Sequence, residues 1–291
     1  MNSASITFDP APSQPALVLP EGATDTHCHV FGPTDRFAFA EGAKFRPGDA
    51  PKETLFALHD RIGIDRCVVV QSGCHGFDNS VTLDAMLARP GRYLGVALLP
   101  RDVSDAELQR HAGLGFRAVR FNYMAHLAAE LPIGEIPAFA SRLAGFGLHL
   151  QLHMESGLIA EMAPAIASSP VPVVIDHMGR IDASEGRDQK AFAALMKLLE
   201  HDHVWVKVSG CERASRQDAP YADAVPFAAR LVETYPDRVL WGTDWPHPNF
   251  RVDTPPDDGV LVDLLSGIAP TPALLQALLV DNPMRLYRFE A

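Results

Sequence analysis

Residues Asp25 to Pro33, DTHCHVFGP, put a carboxylate, two imidazoles and a thiol into a stretch where a buried strand would carry valines and leucines. Burying such groups is costly unless each finds a partner. Successive side chains of a strand point to opposite faces, so His27 and His29 project together and Cys28 projects away. Further along, His153, His177 and Asp244 stand at or just past the carboxyl ends of the apolar runs HLQLHM, PVVIDHMG and RVLWGTDW. A single histidine on a core strand is ordinarily a satisfied structural residue. Four histidines and an aspartate converging on one mouth point instead to chemistry, and two readings compete. In the first, His27, His29, His153 and Asp244 hold one divalent metal ion, Zn2+ or Mn2+, with room left for water. In the second there is no metal, and the histidines donate hydrogen bonds to a polarised carbonyl. Both need Asp244. A binuclear site would want a lysine on the fourth strand, where FRAVRFN offers only Arg117 and Arg120. Lys207, on the seventh strand, reads as a hydrogen-bond donor or ion-pair partner.

The elements that must position these residues alternate along the chain. Short apolar or β-branched runs occur near Asp25, Val69, Val96, Val119, Leu152, Ile175, Val206 and Trp241. Between them, segments such as ETLFALHDRIG, DAELQRHAGLG and KAFAALMKLLEHD place apolar residues three and four apart. Eight strand–helix units predict an α/β protein with a single (β/α)8 TIM barrel over residues 21–291. A doubly wound open sheet would need a G-x-G-x-x-G turn after the first strand, and none is present. The proline-rich residues 1–20 read as a tail or as an arm that plugs the barrel, and Asn282–Phe289 as a closing helix. In a barrel the active site lies at the carboxyl ends of the strands, where the ionisable residues fall.

The chain has 291 residues, 47% hydrophobic and 21% charged, which suits a soluble globular protein. Its formal net charge of −11 disfavours a nucleic-acid partner. An anionic ligand must then be held by local arginines against the overall field, which singles out Arg120, Arg180 and Arg213 beside the strand ends. Alternation turns Arg117 away, to an ordinary surface ion pair. The four cysteines are scattered without C-x-x-C spacing, so neither a disulfide framework nor a structural zinc knuckle is expected. No run is apolar and long enough to span a bilayer, and there is no export-signal pattern, so no membrane association and a cytoplasmic location are expected. A homo-oligomer is compatible with the sequence. His59, His111, His201 and His203 fall in helical or loop stretches and read as solvent-facing.

DTHCHVFGP at Asp25, QSGCHGFDNS from Gln71, RFN from Arg120, DHMGR from Asp176, ERAS from Glu212 and WGTDWPHPN from Trp241 together resemble the amidohydrolase superfamily. Within it they are most similar to the lactonases that open 2-pyrone-4,6-dicarboxylate and muconolactones. The resemblance runs in one register from about residue 20 to the C-terminus. H-x-H alone is a weak signal, but H-x-H with H-M-G-R and G-T-D-W-P-H-P in order is a strong one. It implies hydrolysis of a small anionic lactone in aromatic-compound degradation, with Asp244 as general base and His27, His29 and His177 around the carbonyl oxygen. Arg120, Arg180 and Arg213 would bind substrate carboxylates. Asn122 and Asn249 would position substrate, and so would Ser72 and His75 unless the Gly-Cys-His loop is ordinary turn structure. His247 would orient Asp244 or cap a loop.

The sequence also departs from the pyrone lactonase pattern. His153 stands where that pattern has tyrosine, His126 where it has a second carboxylate-binding arginine, and Phe45 where it has tyrosine. A regained metal ligand and two lost polar anchors imply a metal-dependent lactonase acting on a substituted muconolactone, the sulfonated kind included. Pyrone dicarboxylate hydrolysis without metal is the alternative. A metal-dependent decarboxylase of the same superfamily would share the cluster, and a catalytically silent binding barrel is the remaining reading.

Overall fold

The computed structural model describes residues 6–125, 131–250 and 255–290. Eight parallel strands pair in chain order: β1 (Thr24–Cys28), β2 (Arg66–Val70), β3 (Tyr93–Ala97), β4 (Phe116–Tyr123), β5 (His149–Met154), β6 (Val173–Ile175), β7 (Val204–Lys207) and β8 (Val239–Leu240). The ring closes between β8 and β1 through Thr26 N–H to Trp241 O (2.9 Å) and Asp244 N–H to His27 O (2.7 Å). This approach requires Gly242, because a Cβ there would come within 2.5 Å of His27 N. The barrel read from the alternation is the one observed.

Helices alternate with the strands for reasons visible in the sequence. Lys52–Ile62 buries Leu55, Leu58 and Ile62 on one stripe and ends at Gly63, whose φ of 83° suits a residue without Cβ. Asp105–Gly113 starts where the Ser104 hydroxyl accepts from Glu107 N–H at 3.2 Å, satisfying one of the helix's unpaired amides.

Alternation on the strands divides the apolar residues into two cores. Val69, Val119, Leu150, Leu152 and Val206 face the helices in the larger one. Val68, Val70, Val96, Ala118, Val174 and Leu240 face inward, where Leu286, Tyr287 and Phe289 pack against them. The barrel interior is therefore plugged by the C-terminal segment rather than by the proline-rich start. Asn282–Tyr287 is the expected closing helix, anchored by Asn282 Nδ2 donating to Pro236 O and Val239 O, both at 2.9 Å. The described part of the start lies along the outside: Thr7 hydroxyl donates to Pro246 O, and Leu17 N–H to Asp263 at 2.9 Å. Among the described residues no helix is long and apolar enough to cross a membrane.

Candidate active site

β1 delivers His27 and His29 side by side, their ring centroids 5.1 Å apart. Cys28 turns outward to place its Sγ 3.1 Å from Cys67 Sγ. The pairing of β1 on β2 shifts register between Asp25 and Cys28, and Asp25 meets His59 of the covering helix rather than the barrel interior. On β4 and β5, Arg120 is level with Gln151 and Asn122 with His153, so all four share the inward face. His177 follows β6 and Asp244 follows β8.

The chain leaves these last two strands in unusual conformations. His177, Met178 and Arg180 have φ of 48°, 53° and 56°, and Asp244, His247 and Asn249 have 61°, 55° and 61°. Six of the eight left-handed non-glycine residues described thus flank the site, where such strain serves to aim side chains. Gly210, itself at φ 83°, gives the turn after β6 its room, since a Cβ there would lie 3.0 Å from His177 Cβ.

One carboxylate oxygen is the focus. His29 Nε2 lies 3.4 Å from Asp244 Oδ1, and His27 Nε2 and His177 Nε2 each 3.7 Å from it. The other oxygen accepts from Arg213 Nε. Burial alone would raise the Asp244 carboxyl, but the Arg213 guanidinium, then His177, hold it well below the usual carboxylate range, so it is ionised at neutral pH. Burial pushes His27 down to about 3 and takes His153 and His177 well below the ordinary imidazole value, so these rings are neutral. The site therefore pairs one fixed negative charge with neutral imidazoles, under a rim of guanidinium groups.

The rings are tied from behind. His29 Nδ1 donates to Val70 O at 2.7 Å, His153 Nδ1 lies 3.1 Å from Asn122 Oδ1, and His177 Nδ1 3.0 Å from Ser209 Oγ. Beneath His27 is a fully buried polar layer. Lys207 Nζ reaches Thr26 O, Gln151 Oε1 and His27 Nδ1 at 2.9, 3.0 and 3.1 Å, and Asp176 accepts from Arg120 Nε at 2.8 Å and Gln151 Nε2 at 3.2 Å.

Above the cluster opens a cavity of about 470 Å³. Its floor includes His29, His177 and Asp244, and Arg120, Asn122, His153, Arg180 and Arg213 stand around it. Phe45, Phe77, Met124 and Leu98 supply apolar wall, and Ser72, Lys44 and Asn249 complete the mouth. Arg180, lowered to about 10 by burial and by Arg213, remains charged. Arg213 Nη2 is buried with no hydrogen-bond partner among the described residues, and the same holds for His27 Nε2 and His153 Nε2. These buried donors and acceptors, gathered around one cavity, can be met by a bound group there.

Most of the residues singled out in the sequence thus meet here, with three departures. His75 does not line the cavity: its Nδ1 bonds Ala38 O at 3.0 Å and its ring packs near Phe39, so it braces the loop after β1. His59 and His111 are buried rather than solvent-facing, because each ring is hydrogen-bonded on the inner side of its helix, His59 to Tyr93 OH at 2.6 Å and His111 to Glu107 O at 2.8 Å. Arg117 donates to Tyr287 O at 2.9 Å instead of forming a surface ion pair. His126 lies outside the described residues. His201 is exposed, and His203 is half-buried with Nε2 3.0 Å from Ile166 O. His247 is buried with Nε2 3.3 Å from Asp258 Oδ1, and its N–H bonds Asp244 O at 2.7 Å, so it holds the turn that carries Asp244. Asp176, Gln151 and Ser209 escaped the sequence reading because their roles depend on partners far away in the chain.

Among the described residues, two donor sets could take a metal ion by proximity. His27, His177 and Asp244 bring ligand atoms within 4.8 Å of one another, as do Cys28, His59 and Cys67 behind β1. In the second set both His59 nitrogens already have partners, Tyr93 and Asp25.

A barrel with H-x-H at the end of its first strand, a histidine on the fifth, another after the sixth and an aspartate after the eighth defines a class, and the comparison with known families agrees: the amidohydrolase family matches residues 24–289. The chain belongs to that family. It is 49% identical over 286 residues to a 2-pyrone-4,6-dicarboxylate hydrolase of Comamonas testosteroni, covering 95% of this chain and 93% of that one. It is 40% identical over 277 residues to a 4-sulfomuconolactone hydrolase of Rhizobium radiobacter, covering 94% and 92%. A solved structure from Pseudomonas putida, provisionally named a 2-pyrone-4,6-dicarboxylic acid hydrolase, superposes with a TM-score of 0.81 at 33% identity, over 94% of this chain and 100% of that one.

Proposed function

We propose that this protein is a hydrolase that opens the ester ring of a small carboxylated lactone. The observation that carries the reading is an ionised, buried Asp244 set against the neutral His27 and His177 rings at a cavity lined by three guanidinium groups. Arg120, Arg180 and Arg213 provide forks for carboxylate or sulfonate groups, and the apolar wall accepts a flat ring. The unmet Nη2 of Arg213 is a donor for an anionic group, on the same guanidinium whose Nε holds Asp244.

In the reaction, water adds to the lactone carbonyl carbon while Asp244 Oδ1 takes its proton. Imidazole N–H groups at the floor stabilise the oxyanion that forms. The ring C–O bond then breaks, the ring oxygen leaves as an enolate or alkoxide, and Asp244 or His177 returns the proton. A positioned base of this kind supplies about 10² to 10⁴ in rate, and oxyanion stabilisation a similar or larger factor.

The donor set also fits one divalent ion: His27, His177 and Asp244 bring ligand atoms close enough together to hold Zn2+ or Mn2+, with His29 and His153 as the further candidate ligands. Such an ion would polarise the carbonyl and acidify water. His153 and Phe45 favour a substituted muconolactone, the sulfonated kind included, as substrate. The 49% identity to the pyrone dicarboxylate hydrolase favours that lactone as the second reading.

A panel of muconolactones, sulfomuconolactone and pyrone dicarboxylate, assayed in both directions with and without added metal, tests the proposal. Ring opening of at least one carboxylated lactone is expected. Inertness toward all of them, with carbon dioxide released from aromatic acids, would assign the site to a lyase instead.

A further inference from the structure

The histidines of the site are not equivalent in how their second nitrogen is held. His29 Nδ1 faces the Val70 carbonyl at 2.7 Å, which can only accept, so this ring carries a proton on Nδ1. His153, with Nδ1 3.1 Å from Asn122 Oδ1, has the same arrangement. Both rings are held through Nδ1, as metal-ligating histidines commonly are.

His27 differs. Its Nδ1 lies between Lys207 Nζ at 3.1 Å, an ammonium that can only donate, and Asp176 Oδ1 at 3.2 Å, which can only accept. The geometry selects the lysine: Lys207 Nζ meets His27 Nδ1 with hydrogen-bond geometry, whereas Asp176 Oδ1 stands close to both, 3.2 Å from Nδ1 and 3.5 Å from Lys207 Nζ, without hydrogen-bond geometry to either. Lys207 is fully buried on an inward strand position, donates to Thr26 O at 2.9 Å, Gln151 Oε1 at 3.0 Å and His27 Nδ1, and has the Asp176 carboxylate as its ion-pair partner at 3.5 Å. A charge removed from water this completely needs all of its partners, so giving up His27 is unfavourable for the lysine.

We propose that Lys207 is a positioning residue that locks His27 as the Nε2–H tautomer, making it a hydrogen-bond donor at the pocket floor and withholding it from a divalent metal. The unmet Nε2 of His27, 3.7 Å from Asp244 Oδ1, then aims its proton at the place where carbonyl oxygen or water sits. For His27 to ligate an ion, the proton must move to Nδ1 and be accepted by Asp176, with loss of the Lys207 bond. Lys207 thus sets the balance between the two ways this donor set can work. The inference concerns the same site as the hydrolase reading, but its test uses no lactone and stands or falls separately.

Long-range 1H–15N correlation spectra of the metal-free full chain, with His27 assigned through His27→Asn, are expected to show a protonated Nε2 and an unprotonated Nδ1. An Nδ1–H ring at His27 overturns the proposal, and this measurement needs no variant at position 207. In Lys207→Met the ring should switch to Nδ1–H, and zinc affinity, read by competition with a chromophoric chelator, should rise about tenfold or more. That gain should vanish in Lys207→Met/His27→Asn. Unchanged or weaker zinc binding in folded Lys207→Met, or a gain that survives loss of His27, overturns it.

Discussion

β1 has a buried polar cluster on each side of it, and the two differ in one respect. On the helix side, Asp25 Oδ1 accepts from His27 N–H and Thr243 N–H at 2.9 and 3.2 Å, and Oδ2 from Thr243 Oγ1 and His59 at 2.6 and 3.2 Å. His59 completes this cluster through Tyr93 OH at 2.6 Å. On the barrel side, His27 Nε2, His153 Nε2 and Arg213 Nη2 are buried without hydrogen-bond partners. The residue types are nearly the same, a histidine set against a carboxylate. A network with every donor and acceptor met holds two strands and a helix together, whereas one with atoms left open has a ligand to receive.

The largest effect that sharpens this contrast is at Asp244. Asp244→Asn keeps the shape and removes the base, so turnover on the best lactone should fall by about 10² to 10⁴ while circular dichroism stays native. Substantial residual activity would move the base elsewhere. On the other side, His59→Ala takes away the partner of Tyr93 OH and one of the four donors to Asp25, and should cost about 2–4 kcal/mol of stability in urea unfolding, with kcat/KM of the folded fraction nearly unchanged. A catalytic defect larger than the stability defect would erase the distinction between the two clusters.

A smaller effect separates binding from chemistry within the cavity. Arg180 lines the cavity and, unlike Arg213, makes no direct contact with Asp244. Arg180→Met should raise KM about 10- to 100-fold with little change in kcat. An equal fall in kcat would place this guanidinium on the reacting bond.

The smallest effect is in pH dependence. Burial holds His27 and His149 neutral down to about 3, whereas an unfolded histidine titrates near 6.5. Between those values the unfolded chain binds more protons, so stability is full above about pH 6.5 and is lost as pH falls. Each ring contributes a slope of up to about 1.4 kcal/mol per pH unit. Asp176 and Asp244, held low, lose their contribution only below the ordinary carboxylate range, so between pH 6.5 and 4.5 the lowered histidines set the slope, with Glu212, raised by burial, working against it. His149→Leu, beside Tyr287 in the inner plug, should flatten that slope, and an unchanged slope would mean that His149 is protonated in the fold.

Part of the molecule was legible from residue order because it depends on period and on strand ends. Alternation separates His27 and His29 from Cys28, and the apolar runs ending in His153, His177 and Asp244 mark the mouth of a barrel. These are local rules, and they gave the fold and the central five side chains. His59 and His75 were not legible, since a histidine's environment is decided by which distant carbonyl or carboxylate meets its ring.

The sequence by itself determined the number of strands, the inward parity of the H-x-H pair and the supply of arginines that an acidic chain needs to hold an anion. Only the tertiary structure decided which of these groups are satisfied: Asp25 by His59 and Thr243, Asp176 by Arg120 and Gln151, His27 by Lys207, each pair joining residues at least 25 positions apart. The physical reason is that spacing along a strand fixes direction, whereas a proton's place on a ring is fixed by the nearest buried donor or acceptor, which closure of the barrel brings from another strand.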